Sequence, residues 1–470
     1  MVKTRNESVD ALRGFAVLTM VLSGSIAFGD VLPAWMYHAQ VPPPDHTFNP
    51  AIPGITWVDL VFPFFLFSMG AAIPLSFQAH FQTGAPRFTV LAVAARRLVL
   101  LAFFALFSQH LKAWVLADGP GWRENLLSIL AFLLLFFQFY AYRGEQYRKL
   151  FVALRWGSFA TGIFLLGFLR FRDGRGFDLY RSDIIILVLA NMAFFGTILY
   201  AFTRNRPWLR IGILPFVMAV FLAAKEPEGG WARDLFEWHR IGDLKIDWLY
   251  KFYFLKYLFI IIPGTLAGEL LLNHARPLSS ASDTAQRSRS VLALIAIVLI
   301  VWNLWGLFTR MLLLNATGTV IFCAMAIYLA RRDGSNLIRR LTEAGSYLLL
   351  LGLFFDAYEG GIRKDPSTYS YYFVTSGLAC FLLLFFHQIA RHSAGAAFVR
   401  FFALNGKNPL VAYVAGNLLV LPLLSLTALR PYWDGMNQSA FLGLLKGVLF
   451  TALVSLITLF FVKRNWLWKS

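Results

Sequence analysis

Long apolar stretches, each about the length of a membrane-crossing helix, alternate with short polar segments along the chain. A helix needs about 20 mainly apolar residues to cross a bilayer. The pattern therefore predicts an all-α polytopic integral membrane protein with about 12–14 transmembrane helices in a single domain, residues 1–470. The predicted spans are 9–29, 55–79, 95–116, 124–141, 151–170, 182–202, 208–224, 251–272, 290–310, 312–331, 344–360, 369–390, 402–428 and 440–462.

Composition removes the main alternative classes. Of the 470 residues, 58% are hydrophobic and only 14% are charged, which excludes a water-soluble protein. The 43 Lys and Arg outnumber the 25 Asp and Glu, giving a net charge of +18. In a soluble protein this excess would suggest nucleic acid. In a membrane protein the excess of basic residues indicates basic loops on the cytoplasmic side. The protein is therefore expected to be surrounded by lipid and not to bind nucleic acid.

The distribution of charge between alternate loops predicts the orientation. If the N-terminus is cytoplasmic, the inner loops together with the adjoining span ends hold 24 Lys and Arg, and the outer loops together with their adjoining span ends hold 15. Acidic residues show the opposite bias, with 15 in the outer loops and their adjoining span ends and five in the inner loops. The positive-inside rule therefore predicts that both termini are cytoplasmic.

Two residues on the predicted outer side suggest chemistry. His38 lies between aromatic and apolar residues in a loop, 30–54, that has no Lys or Arg. A neutral imidazole in such a place can accept a proton at physiological pH. Asp59 lies in the first turn of the second span among apolar neighbours, where a carboxylate is costly to bury. A metal site formed by His38, Asp45 and His46 is an alternative, but their spacing matches no common ligand pattern.

Other polar positions suggest binding or transport. Asn405 to Pro409 opens a late span on the cytoplasmic side, and Lys407 with Asn408 there could hold a phosphate group, although the spacing of a P-loop is absent. Asp356 and Glu359 lie near another span end. Carboxylates within a membrane are also typical of proton or cation sites in transporters.

Several short motifs resemble a known family. The segments at 8–14, at 38–39 and at 59–70 resemble the opening of the heparan-alpha-glucosaminide N-acetyltransferase family of polytopic transmembrane acyltransferases. The best-matched parts are residues 8–80, 364–377 and 405–470. The region 124–345 aligns poorly, and the extra helices beyond the family core are expected there.

The resemblance implies transfer of an acetyl group from cytoplasmic acetyl-CoA to an amine or hydroxyl of a sugar or glycan on the outer face. It implies that His38 is the catalytic residue, oriented by Asp59. Acetyl-CoA would be a co-substrate, with no metal required. The protein would be a homodimer in a bacterial inner (plasma) membrane. The inner-side residues expected to contact the phosphates of CoA are Arg13, Arg97, Lys407 and Asn408.

Two departures from the family pattern concern the acceptor. An asparagine in the first of the shared helices would align near Ser23 and Gly24, where this chain has none, and residues 41–53 form an insertion after the histidine. The heparan substrate is therefore not carried over. A transporter or flippase for a polar solute is the alternative function, based on the many spans and on Asp59, Asp356 and Glu359.

Overall fold

The computed structural model describes residues 5–82, 87–226, 228–273, 283–391 and 393–469. It is 74% helical with almost no strand among these residues. The protein is therefore an all-α polytopic membrane protein, as predicted. It divides into two compact units, each assembled from three separate stretches of the chain.

The first unit comprises 1–85, 203–211 and 257–406. Its helices are mostly long and apolar, and two of them begin at an N-cap residue whose side chain accepts from a free backbone N–H group. Asn6 accepts from Val9 N before the first helix, and Ser335 accepts from Ile338 N before a later one. The helices are α1 (Glu7–Ser23), α2 (Trp57–Gln82), α10 (Leu258–Asn273), α11 (Asp283–Phe308), α12 (Leu312–Arg332), α13 (Asn336–Tyr358), α14 (Tyr369–Ile389) and α15 (Ser393–Gly406).

The second unit comprises 86–202, 212–256 and 407–470. One helix, α8, begins in the first unit and continues into the second. A two-residue antiparallel hairpin, β1 (Arg240–Ile241) and β2 (Leu244–Lys245), interrupts the helices. The helices are α3 (Arg87–His110), α4 (Ala113–Leu116), α5 (Trp122–Phe139), α6 (Arg148–Phe168), α7 (Ile184–Thr203), α8 (Pro207–Ala223), α9 (Gly230–Glu237), α16 (Pro409–Ala415), α17 (Leu421–Leu426), α18 (Arg430–Gly435) and α19 (Ala440–Lys463).

Eleven helical segments in the described part of the chain are long and apolar enough to cross a membrane. The other three predicted spans also coincide with helices. Of these, α1 and α8 have only 17 residues each, and α13 begins at Asn336, so that it includes charged residues before the predicted apolar part.

One predicted span is divided in the structure. Residues 402–428 were expected to form a single crossing, but α15 ends at Gly406 and a new helical segment runs from Pro409 to Leu426. Asn408 stands before the new helix with a non-helical backbone, and Pro409 is its first residue. Proline suits this position because the first helical N–H has no partner within the helix.

Glycines allow helices of the first unit to pack at very short range. A Cβ atom on Gly268 of α10 would lie 2.2 Å from the carbonyl oxygen of Ala71 in α2. A Cβ on Gly14 of α1 would lie 1.8 Å from the carbonyl oxygen of Phe402 in α15. Small residues at such crossings are a common means of helix association in membranes. This packing holds α2, which carries Asp59, against its neighbours.

Candidate active site

His38 and Asp59 form a close pair in the first unit. His38 Nδ1 lies 2.6 Å from Asp59 Oδ1. An ionised carboxylate can only accept a hydrogen bond, so Nδ1 donates and the neutral ring keeps its lone pair on Nε2. The His38 side chain is 37% exposed, whereas that of Asp59 is 2% exposed. The pair therefore presents a basic nitrogen at an accessible position and keeps its carboxylate buried.

The second oxygen of Asp59 is fixed by the backbone. Oδ2 accepts from Thr56 N at 2.9 Å and from Ala39 N at 3.2 Å. Thr56, just before α2, also binds the loop that carries His38, because its hydroxyl donates to the carbonyl oxygen of Tyr37 at 2.6 Å. These donors compensate for burying the carboxylate. They also set its orientation, and so the direction in which it holds the imidazole.

A third residue, Lys364, completes the cluster. Its Nζ lies 3.1 Å from Nδ1 and 3.2 Å from Nε2 of His38, and 4.0 Å from Asp59 Oδ1. An atom about 3 Å from both ring nitrogens cannot lie in the ring plane, because it would then overlap with a ring carbon. The amine therefore lies over a face of the imidazole. The in-plane approach to Nε2 is left to another group.

Gln40 holds the segment that carries Lys364. Its side-chain amide donates to the carbonyl oxygen of Asp365 at 2.5 Å, and its oxygen accepts from Asp365 N at 2.8 Å. Gln40 is itself buried. Glu359 fixes the other side of this segment by accepting from the N–H groups of Tyr369 and Ser370 at the start of α14, both at 2.8 Å. These hydrogen bonds fix the backbone of the segment that carries Lys364.

Burial changes the acidity of Lys364. Loss of hydration lowers the pKa of its ammonium group from the ordinary 10.5, and the nearby Asp59 and Asp365 oppose this shift without cancelling it. A lysine in this position loses its proton more readily than a surface lysine does.

Residues 5–271 match the sequence model of a family described as a domain of unknown function, DUF5009. The chain belongs to the DUF5009 family. The part matched to DUF5009 contains His38 and Asp59 but ends before Lys364, so the site includes residues from outside that part. No curated protein matches the chain.

The four residues predicted to contact CoA have different environments. Arg13 is largely buried, pairs with Asp10 at 3.2 Å, and donates to the carbonyl oxygens of Ser68 and Gly406, both at 3.4 Å. These contacts connect α1 with α2 and α15. The ion pair and these hydrogen bonds account for an arginine at this position without a ligand. The predicted contact with CoA stays a prediction.

The other three residues predicted to contact CoA lie in the second unit. Asn408 is fully buried, donates to the carbonyl oxygen of Trp466 at 3.0 Å and accepts from Trp468 N at 3.1 Å. The side-chain nitrogen and oxygen of Asn408 therefore both bind the C-terminal segment. These hydrogen bonds account for an asparagine at this position without a ligand. Lys407 and Arg97 are half-buried.

The carboxylates proposed as transport sites have structural partners. Asp356 forms two contacts with Arg310, at 2.9 and 3.2 Å, and accepts from Ile362 N. Glu359 caps α14, as described above. Asp59 is the only one of the three that contacts a histidine in the described part of the chain.

The alternative metal site is not formed by the residues suggested for it. His46 Nε2 lies against the backbone of Gly29, at 2.9 Å from N and 3.0 Å from O, while His38 contacts Asp59. Across the described ranges, no group of three or more His, Cys, Asp or Glu side chains could hold a metal ion.

Proposed function

We propose that this protein is a membrane acyltransferase that moves an acetyl group from cytoplasmic acetyl-CoA to an amine or hydroxyl of a sugar or glycan on the outer face. The observation that carries the proposal is the 2.6 Å contact between His38 Nδ1 and a buried, backbone-fixed Asp59, which leaves Nε2 able to accept a proton. This is the arrangement by which a carboxylate orients a histidine base. The resemblance of the segments around both residues to the N-acetyltransferase family supports the same function.

In the proposed reaction, Nε2 takes the proton of the acceptor as its oxygen or nitrogen attacks the thioester carbonyl. The C–S bond then breaks, and the thiolate of CoA leaves and takes up a proton. A base in this role typically contributes about 10²- to 10⁴-fold to the rate. Direct transfer and transfer through an acetyl-histidine both use Nε2.

Lys364 has a distinct role in this proposal. The attack places negative charge on the thioester oxygen, and a fixed cation close to that oxygen lowers the barrier. Lys364 Nζ lies 3.2 Å from Nε2, so it can reach a carbonyl group that reacts there. Its charge also balances that of Asp59.

The orientation and assembly in this proposal follow from the sequence. The excess of basic residues in alternate loops supports cytoplasmic termini and an outer position for His38. Arg97 and Lys407 are the proposed contacts for the phosphates of CoA on the inner side. The resemblance supports a homodimer in a bacterial inner membrane.

A transporter or flippase receives less support from these contacts. That alternative relied on three carboxylates as ion or proton sites, and Asp356 and Glu359 are engaged with Arg310 and with the start of α14.

The proposal can be tested by offering acetyl-labelled acetyl-CoA to the purified full-length protein with a panel of amino sugars and neutral glycans. The expected result is a labelled sugar together with release of free CoA thiol. A protein that binds no CoA and labels no sugar would contradict the enzymatic function. Sugar movement across vesicles without acetylation would instead support transport.

A further inference from the structure

We propose that Lys364 is a site of self-acetylation: its amine, held over the ring of His38, accepts the acetyl group when no sugar occupies the site. The inference rests on the proposed acetyl transfer. It concerns a different acceptor, which belongs to the protein itself.

The geometry places this amine where an acceptor has to be. Lys364 Nζ is 3.2 Å from His38 Nε2, the atom at which the acetyl group is handled. The atoms that react are Nζ and the acetyl carbon, which have to approach to about 3–3.5 Å, and an acetyl carbon held at Nε2 is near enough to Nζ for this approach. An acyl group beside Nε2 lies close to the ring plane, and a nucleophile approaches a carbonyl carbon from above that plane. Lys364 approaches from that direction, because it lies over the ring face.

The segment around Lys364 gives the amine little freedom to move away. Gln40 binds both backbone polar groups of Asp365, the next residue. On the other side, Arg363 N donates to Thr368 Oγ1 at 3.0 Å. The Lys364 side chain is only 30% exposed. Burial lowers its pKa, so a larger share of the amine is unprotonated than in a surface lysine.

The step balances as an aminolysis of a thioester. The ammonium group first releases one proton to solvent, and its lone pair then forms a C–N bond to the acetyl carbon. The C–S bond of acetyl-CoA breaks, or the C–Nε2 bond if the group has passed to His38. The second amine proton leaves as the new amide forms, and the thiolate of CoA takes it up. The products are an acetyl-lysine, free CoA and one proton.

Acetylation removes the positive charge of Lys364. The site then loses the cation that faces the thioester oxygen, and the uncharged amide occupies more space over the imidazole. Exposure to acetyl-CoA without a sugar is therefore expected to slow later turnover. A sugar present from the start competes for the acetyl group and protects Lys364.

The test uses the purified full-length protein in detergent. It is incubated with acetyl-CoA alone or with acetyl-CoA and glucosamine, and acetyl-lysines are then mapped by peptide mass spectrometry. We expect acetylation at Lys364, reduced by glucosamine, and about 10²-fold slower in His38→Ala. Lys112 is the internal control, because burial also lowers its pKa while its Nζ contacts Gln109 at 2.6 Å and Asp183 at 3.8 Å. It is expected to stay unmodified.

A second measurement covers the case in which His38→Ala does not fold. For the unsubstituted protein, preincubation with acetyl-CoA is expected to slow later turnover. For Lys364→Arg, turnover after preincubation is expected to equal that of the same variant without preincubation. Sugar acetylation with an unmodified Lys364 would overturn this inference and leave the proposed function intact. Equal labelling of Lys364 and Lys112 would also overturn it. Absence of both sugar and protein acetylation would overturn the inference and the proposed function together.

Discussion

Replacing Asp59 by asparagine separates the catalytic role of this carboxylate from its structural role. In Asp59→Asn the amide oxygen can still accept from Thr56 N and Ala39 N, the two backbone donors at 2.9 and 3.2 Å. The NH₂ group then faces His38 Nδ1. Because this group can only donate, Nδ1 has to accept, and the ring proton moves to Nε2. The nitrogen that should take the proton of the acceptor already holds one.

The expected loss follows from this change of tautomer. A general base typically contributes about 10²- to 10⁴-fold, which corresponds to about 3–5.5 kcal/mol of barrier at 1.36 kcal/mol for each factor of ten. Stability should change little, because both backbone donors keep an acceptor. In Asp59→Ala they lose it, and each buried donor without a partner costs about 1–3 kcal/mol.

The assay compares acetyl transfer per folded protein and the thermal unfolding midpoint of both variants. Asp333→Asn is the matched control, because Asp333 also has a buried carboxylate, which binds Arg289 at 2.6 Å. Asp333 lies at the C-terminal end of α12, whereas Glu359 follows the far end of α13. We expect it to lower stability without the large loss in rate. If Asp59→Asn retained more than about one-tenth of the activity, the assigned tautomer and the role of Asp59 would be wrong.

Three further predictions concern packing and charge. Gln40→Ala removes both hydrogen bonds to the segment that carries Lys364, and is expected to lower kcat and increase amide hydrogen exchange in that segment. Gly268→Ala places a Cβ 2.2 Å from the Ala71 carbonyl oxygen and is expected to cost about 1–3 kcal/mol of unfolding free energy, whereas Gly157→Ala meets no atom within 4 Å and should be neutral or slightly stabilising. Because the pKa of Lys364 is lowered from 10.5 and the reaction needs its charged form, activity should fall as pH rises through a value below 10.5, and Lys364→Arg should move this alkaline limit upward.

The sequence predicts the fold class and half of the site because those features are local. Apolar stretches of helix length identify the helices, and the placement of His38 and Asp59 in an uncharged loop and in a first helical turn singles them out. The break at Lys407 and Asn408 was missed because a long apolar window averages over it. The Asn-Pro pair is a recognisable helix start that a shorter window would have used.

Lys364 and Gln40 were not predicted as site residues because their contacts are distant in the sequence. Lys364 lies 326 positions from His38 and meets it only once the segment before α14 packs against the loop that carries the histidine. The available signal was a lysine in an outer loop at the start of the segment 364–377, which resembles the acyltransferase family. Resemblance marked the segment, but only the three-dimensional structure brings this side chain to the imidazole.

The role of His38 as the base for acetyl transfer can be tested by measuring labelled acetyl transfer and CoA binding in His38→Ala. His46→Ala is the control, because His46 lies in the same loop and contacts the backbone of Gly29. We expect His38→Ala to lose transfer by about 10²-fold or more while binding CoA as before, and His46→Ala to retain transfer. Equal transfer by His38→Ala and the unsubstituted protein would remove His38 from the mechanism.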